Sequence, residues 1–249
     1  MGRPNRISFP GMLTHVIVRG NNKKKIFRED DDYRYLIELL RISKKQMNFK
    51  IFTFCLMPNH FHLFMQTGNK GNDCSISNIM QKINLKYVKF FNKKYQRSGH
   101  LFNNRFKSII VQSGTYATNL MRYIDMNPCK LNSTFRENPF IYKWSGIMWT
   151  CKGKGPYADI LDVIPWLSEN ENIELYRSAY AEFIREKISV LNFFNSNLIS
   201  NANIIGNNSF IKIIVYSYEN YWKPSRKKLD VFIKSVKKSS ICGLAFKFV

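Results

Sequence analysis

The chain has 249 residues, 45% of them hydrophobic with 20 Phe and 13 Tyr, and carries 39 Lys and Arg against 17 Asp and Glu for a formal net charge of +22. That composition supports a globular core, and the charge calls for a polyanionic partner, nucleic acid or an anionic membrane surface. No apolar run approaches the roughly 18 residues needed to cross a bilayer, and Met1-Gly2-Arg3-Pro4-Asn5-Arg6 lacks the apolar stretch of a secretory leader, so nucleic acid is the expected partner. The five cysteines are scattered and form no C-x-x-C pair. That fits a reduced, cytoplasmic protein without a structural zinc.

Leu13 to Arg19 reads as a strand closed by Gly20-Asn21-Asn22. Asp30-Asp31-Asp32 then opens a helix, where carboxylates favour the positive end of the dipole, and Leu36, Ile37, Leu40 and Met47 give it an apolar face. Ile51 to Met57 is a strand, Pro58-Asn59 a turn, and His60 to Thr67 the returning strand. A second helix starts at Ser75 or Ser77, with Ile76, Ile79, Met80, Ile83, Tyr87, Phe90 and Phe91 at helical spacing. A loop at Arg97-Ser98-Gly99 precedes a strand from Arg105 to Val111. A third helix covers Thr115 to Met126 and stops at Asn127, because the residue before Pro128 is pushed out of the α region.

The order β-α-β-β-α-β is the split βαβ, ferredoxin-like arrangement, an α+β fold with an antiparallel sheet. In it the first and third strands are neighbours, which sets His15 beside the His60 strand. Residues 1–150 form the expected main domain. From 151 to 249 the pattern loosens into a mostly helical extension: a helix from Ile173 to Leu191, an Asn-rich linker from Asn192 to Asn208, and a basic helical appendage over 210–238. The closing Ile241-Cys242-Gly243-Leu244-Ala245-Phe246 is apolar.

Two of the four histidines flank Phe61. In a strand, residues i and i+2 share a face, so His60 and His62 project together while Phe61 faces the other way. Paired neutral imidazoles on a rigid strand are half of a divalent-metal site, or else two satisfied polar side chains on a sheet. On the third helix Tyr116, Leu120, Tyr123 and Asn127 follow one stripe, which by itself reads as core. Between Lys82 and Lys107 there are eight basic residues and no acidic one. Lys82, Lys86, Lys89 and Lys93 recur along one side of the second helix, and Arg105 and Lys107 follow at the next strand. A stripe without compensating carboxylates suits tracking of a phosphate backbone; the plainer alternative is a solvated charged face.

Taken in order, these segments resemble the HUH superfamily of single-tyrosine transposases, in particular the REP-associated tyrosine transposases and their insertion-sequence relatives. The matching residues are Arg19-Gly20-Asn21-Asn22 with Ile26-Phe27, Cys55-Leu56-Met57-Pro58-Asn59-His60-Phe61-His62-Leu63, Tyr87 with Phe91-Asn92, Gly99-His100-Leu101-Phe102, Arg105-Phe106-Lys107-Ser108, Arg122-Tyr123-Ile124-Asp125-Met126-Asn127-Pro128, and Tyr142-Lys143-Trp144-Ser145. The resemblance covers roughly residues 3 to 150.

It implies an HUH endonuclease-like domain in which His60 and His62 hold Mg²⁺ or Mn²⁺ and Tyr123 is the nucleophile. Tyr123 would attack the scissile phosphate of single-stranded DNA, leaving a 5′-phosphotyrosine and a free 3′-hydroxyl that permit rejoining elsewhere. Relatives supply a further metal ligand four residues after the tyrosine, here Asn127. It lies on the same helix face as Tyr123 and is equally a helix cap before Pro128; His15 is the reserve ligand. The resemblance further implies single-stranded or hairpin DNA as partner, a nucleoid-associated cytoplasmic location, no membrane, and a homodimer among the assemblies open to it. The alternative reading is a non-catalytic, single-stranded nucleic-acid-binding module, since the same sheet is an RNA-recognition scaffold that presents aromatics from an open face.

Overall fold

The structure, a computed structural model, describes residues 7–68, 75–164, 173–185, 204–207, 209–210 and 214. Strand β1 (Leu13–Arg19) leads to helix α1 (Asp30–Met47), the hairpin β2 (Lys50–Met57) and β3 (His60–Gln66), helix α2 (Ile76–Lys94) and strand β4 (Lys107–Val111). The split βαβ order is therefore present. Helix α3 (Thr115–Asp125), the short α4 (Ser133–Glu137), α5 (Gly146–Lys152) and α6 (Ile173–Arg185) follow, and a two-residue strand β5 (Ile204–Ile205) completes the sheet.

The sheet order is β2-β3-β1-β4-β5. Pairing is antiparallel as far as β4, and β5 then joins β4 in parallel. The sheet is thus mixed, not wholly antiparallel as expected. Ile204 and Ile205 come from the Asn-rich segment read as a linker. Two isoleucines are too short a pattern to announce a strand, and pairing comes only from the exposed edge of β4. At the far edge, Leu56 N–H donates to the Trp144 carbonyl at 2.9 Å and the Tyr142 hydroxyl to the Leu56 carbonyl at 2.7 Å. The Tyr-Lys-Trp-Ser segment thereby covers the free edge of β2, where unpaired strand groups would invite other chains.

The pleat sorts the side chains. Phe61 and Leu63 face α1 and α2, where Phe27, Tyr87 and Phe102 pack around Phe61. The apolar stripe read on α2 is buried at Ile76, Ile79, Met80, Ile83, Tyr87 and Phe91, each such side chain contributing about 1.5–3 kcal/mol relative to exposure. Ser75 caps the helix by accepting from Asn78 N–H. The other face carries His15, His60, His62 and Phe64, and it is not the open face that a single-stranded binding module presents. Helix α3 packs on it through Ala117, Leu120, Met121 and Ile124, leaving Phe64 fully buried.

Helix α6 locks α3 in place. Buried Asp125 accepts from Thr53 Oγ1 of β2 at 2.5 Å and from the Tyr180 hydroxyl of α6, and burial holds its carboxyl up at about 7. Arg122, 1% exposed, lies 3.9 Å from the Phe183 ring centroid and donates to the Phe183 carbonyl. Gly146 lets α5 start directly against β2, since a Cβ there would meet Thr53 Oγ1 at 2.5 Å. The expected helix from Ile173 is described to Arg185. Most of the basic appendage, 210–238, and the apolar tail lie outside the described residues.

Asp32 joins α1 to α2. Its carboxylate accepts from Arg28 N–H at 2.7 Å, Glu29 N–H at 3.1 Å, the Tyr95 hydroxyl at 2.8 Å and Lys94 Nζ at 3.0 Å. Burial pushes its pKa up, but these donors outweigh it and hold the carboxyl below its usual value. A depressed folded-state pKa gives stability that is present above the unfolded value and lost as pH falls through the folded one. Asp32→Asn is therefore expected to cost about 2–4 kcal/mol at neutral pH. In urea unfolding, its deficit against the unmodified chain should shrink below about pH 4.

Candidate active site

The antiparallel register of β1 and β3 sets Ile17 opposite His62 and Arg19 opposite His60. Residues facing each other across such a pair share a sheet face, so His15, Arg19, His60 and His62 converge. His15 Nε2 lies 2.9 Å from His62 Nδ1. The ring centroids of His60 and His62 are 5.0 Å apart. From α3, the half-buried Tyr123 sets its ring edge-on to both neighbours, 6.0 Å from His62 and 6.3 Å from His15.

A loop bolts the histidine strand in place. Gly20 N–H donates to the Asn59 carbonyl at 2.8 Å, and Ile26 and Phe27 N–H both donate to the Pro58 carbonyl. Asn59 Nδ2 donates to the Lys23 carbonyl at 3.2 Å, while its Oδ1 meets His60 Nδ1 at 2.7 Å. The Arg-Gly-Asn-Asn and Pro-Asn-His-Phe-His motifs, some 35 residues apart, are thus two halves of one hydrogen-bonded unit.

Electrostatics keep the imidazoles neutral. Burial lowers His15 to about 3, with the Lys107 charge adding to it. His60 falls to about 4 by burial and then the charges of Arg19 and Lys130. His62 is driven well below its ordinary value, again by burial first. Their lone pairs are therefore available to a cation at neutral pH. Burial raises the Tyr123 phenol, and the Arg19 charge pulls it back only in part, so the hydroxyl keeps its proton at neutral pH.

Asn127 follows α3 and is buried. Its Nδ2 donates to the Tyr123 and Ile124 carbonyls at 2.8 and 3.2 Å, capping the helix, and its Oδ1 accepts from Lys130 Nζ at 3.0 Å. Lys130 Nζ in turn stands 4.9 Å from the Tyr123 ring centroid. Arg19 and Lys130 were not singled out from the sequence. Arg19 shares the parity of His15 on β1, but its partner His60 follows only from register. Lys130 lies beyond Pro128, where no helical period points inward.

The sequence-selected cations divide. Lys107 and Arg105 are exposed. Lys107 pairs with Ile17 on the histidine face, and Arg105 lies just after Asn103, whose N–H donates to the Arg19 carbonyl. Lys82, Lys86, Lys89 and Lys93 are all exposed on α2, which packs on the Phe61 face, so that stripe lies across the sheet from Tyr123. Lys94 beside them is tied to Asp32 and Glu29.

Among the described residues, no three His, Cys, Asp or Glu side chains form a ready-made metal centre. Two neutral imidazoles, His60 partly exposed and His62 buried behind it, nonetheless suit a cation whose remaining positions would be filled by phosphate oxygens and water, as Mg²⁺ prefers.

The structure is thus an α+β sheet that sets a histidine pair beside a helix-borne tyrosine. Residues 8–127, just under half of the chain, match the family model described as "Transposase IS200 like". The match likens this segment to proteins that process DNA as transposases do. Among solved structures, a REP-associated tyrosine transposase bound to a REP hairpin is 18% identical over 66% of this chain and 95% of that one, with a TM-score of 0.49. A protein from Deinococcus radiodurans R1, solved as a candidate transposase, is 17% identical over 50% of this chain and 95% of its own, with a TM-score of 0.34. Comparison with curated proteins found no match. No helix among the described residues is long and apolar enough to cross a membrane.

A Cβ at Gly20 would meet the Lys24 carbonyl oxygen at 2.2 Å and Ile26 Cγ2 at 2.8 Å. Because one obstacle is backbone, Gly20→Ala should displace the loop that holds Asn59. The expected loss in thermal or urea unfolding is about 1–3 kcal/mol.

Proposed function

We propose that the protein nicks single-stranded DNA and transfers the strand through a 5′-phosphotyrosine on Tyr123. The observation that carries this reading is the setting of the Tyr123 ring, 6.0 Å from His62, on a helix locked against the histidine strands. His60 and His62 hold a divalent cation, Mg²⁺ or Mn²⁺, with Asn127 as a further ligand once its oxygen exchanges Lys130 for the cation. When bound, the cation polarises the scissile phosphate.

The residues of the chain supply the rest. Tyr123 Oη forms a bond to phosphorus as the bond from phosphorus to the 3′ oxygen breaks. The phenolic proton passes to solvent and the departing oxygen takes one up as a 3′-hydroxyl. Arg19 and Lys130 offset the charge that develops on the phenol and the phosphate. Because the phosphoryl bond is kept on the enzyme, a second 3′-hydroxyl can reverse the step without ATP. Arg105 and Lys107 guide the strand on the site face. Lys82, Lys86, Lys89 and Lys93 form a separate surface across the sheet, suited to the flanking duplex stem of a hairpin at an element end, with affinity that falls as salt rises. The rival binding module is disfavoured because α3 covers the sheet face that such modules leave open.

The test is incubation of the full chain with single-stranded hairpin DNA and Mn²⁺, read on a denaturing gel. A protein–DNA adduct is expected, with none from Tyr123→Phe. His60→Ala should cut product at least 100-fold while DNA binding persists. An adduct formed by Tyr123→Phe would remove Tyr123 as nucleophile; cleavage without any adduct would point to attack by water.

A further inference from the structure

A neutral imidazole carries one N–H and one lone pair, so the partner of one ring nitrogen decides what the other can do. For His60 the neighbours settle the matter. Asn59 Nδ2 donates to the Lys23 carbonyl, which orients the amide and leaves Oδ1 against His60 Nδ1 at 2.7 Å. An amide oxygen only accepts. His60 therefore carries its hydrogen on Nδ1, and Nε2 holds the lone pair.

For His62 the partner is another histidine. His15 Nε2 and His62 Nδ1 are 2.9 Å apart, with the rings 24° from parallel and their centroids 5.1 Å apart. That is about the separation of two rings joined nearly in one plane through a single N–H···N bond, not of rings stacked face to face. Both residues are buried, at 2% and 4% exposure, so water is a poor substitute partner. If His15 donates, His62 Nε2 bears a hydrogen and cannot bind a cation. If His62 donates, Nε2 is a free donor atom, matching His60.

We infer that His15 is a positioning residue that accepts the hydrogen bond of His62 Nδ1–H and, together with Asn59 on His60, presets both strand histidines as Nε2 ligands before the cation arrives. The inference rests on the cation reading proposed above and gives His15 a role beside the ligands, not among them. Its Nε2 already faces His62, so it is not turned outward as a ligand in its own right. Such outer partners fix ring orientation as well as tautomer, and their removal lowers metal affinity about 10–100-fold. The device also accounts for a buried imidazole at position 15.

The decisive measurement is a long-range ¹H–¹⁵N correlation spectrum of the histidine rings in the metal-free, full-length protein at neutral pH. Single-histidine variants assign the four residues. His60 and His62 are both expected as Nδ1–H tautomers; His62 found as Nε2–H would overturn the inference. His15→Phe keeps a ring but removes the acceptor. It should scramble the His62 tautomer and weaken Mn²⁺ binding, read by the paramagnetic resonance of free Mn²⁺, at least tenfold. His15→Gln, whose amide oxygen can accept, should restore most of it. Unchanged Mn²⁺ affinity in a folded His15→Phe protein would overturn the inference. Should that variant fail to fold, the spectrum of the unmodified protein still decides. Failure of the unmodified chain to bind Mn²⁺ would overturn the cation reading instead, while the spectrum still tests the His15 bond.

Discussion

Antiparallel pairing of β1 with β3 is the constraint on which the candidate site depends. The period-two pleat sends Phe61 into the layer with α1 and α2 and turns His60 and His62 to the opposite face. The register then brings Arg19 across from His60 and sets His15 within hydrogen-bonding reach of His62. A slip of one residue would exchange the two faces, placing imidazoles in the aromatic layer and Phe61 under α3. Burial of Phe61, Leu63, Val16 and Val18 resists that slip. The apolar half of the sheet thus holds the polar half in register.

The second support is the attachment of α3. A tyrosine on an isolated short helix would be poorly placed, because eleven residues are marginal for a helix without tertiary packing. Here Asp125 ties the helix to β2 through Thr53 and to α6 through Tyr180. Arg122 ties the preceding turn to Phe183. Arg122 directly precedes Tyr123 and Asp125 follows it by two residues, so the two buried polar anchors bracket that side chain. Asn127 completes the helix end by donating to the Tyr123 carbonyl. Segments beyond residue 150 therefore take part in positioning a tyrosine that lies well before them.

Charge is distributed in two layers. Near the histidines, Arg19, Lys107 and Lys130 make an environment in which imidazoles stay neutral and an incoming phosphate meets positive charge. On α2 the exposed lysine stripe faces away from that site. One strongly basic chain thus presents two separate cationic surfaces, on opposite sides of a single sheet.

The sequence by itself determined the element order, the apolar faces of α1 and α2, and the common face of His60 and His62. These depend on local periodicities of 2 and 3.6 residues, which are written in adjacent positions. It also carried the family resemblance in motifs spread from Arg19 to Ser145. Tertiary structure alone decided what those motifs do to one another. It placed Gly20 and Lys23 against Asn59, His15 against His62, and Lys130 over Tyr123. It closed with α3 a sheet face that strand patterning left looking open, and it added β5 from two isoleucines in an Asn-rich stretch. It also put the α2 lysines on the far side. Each of these depends on register between strands or on the choice of face a helix covers, which are set by packing between residues distant in the chain and leave no local period to read.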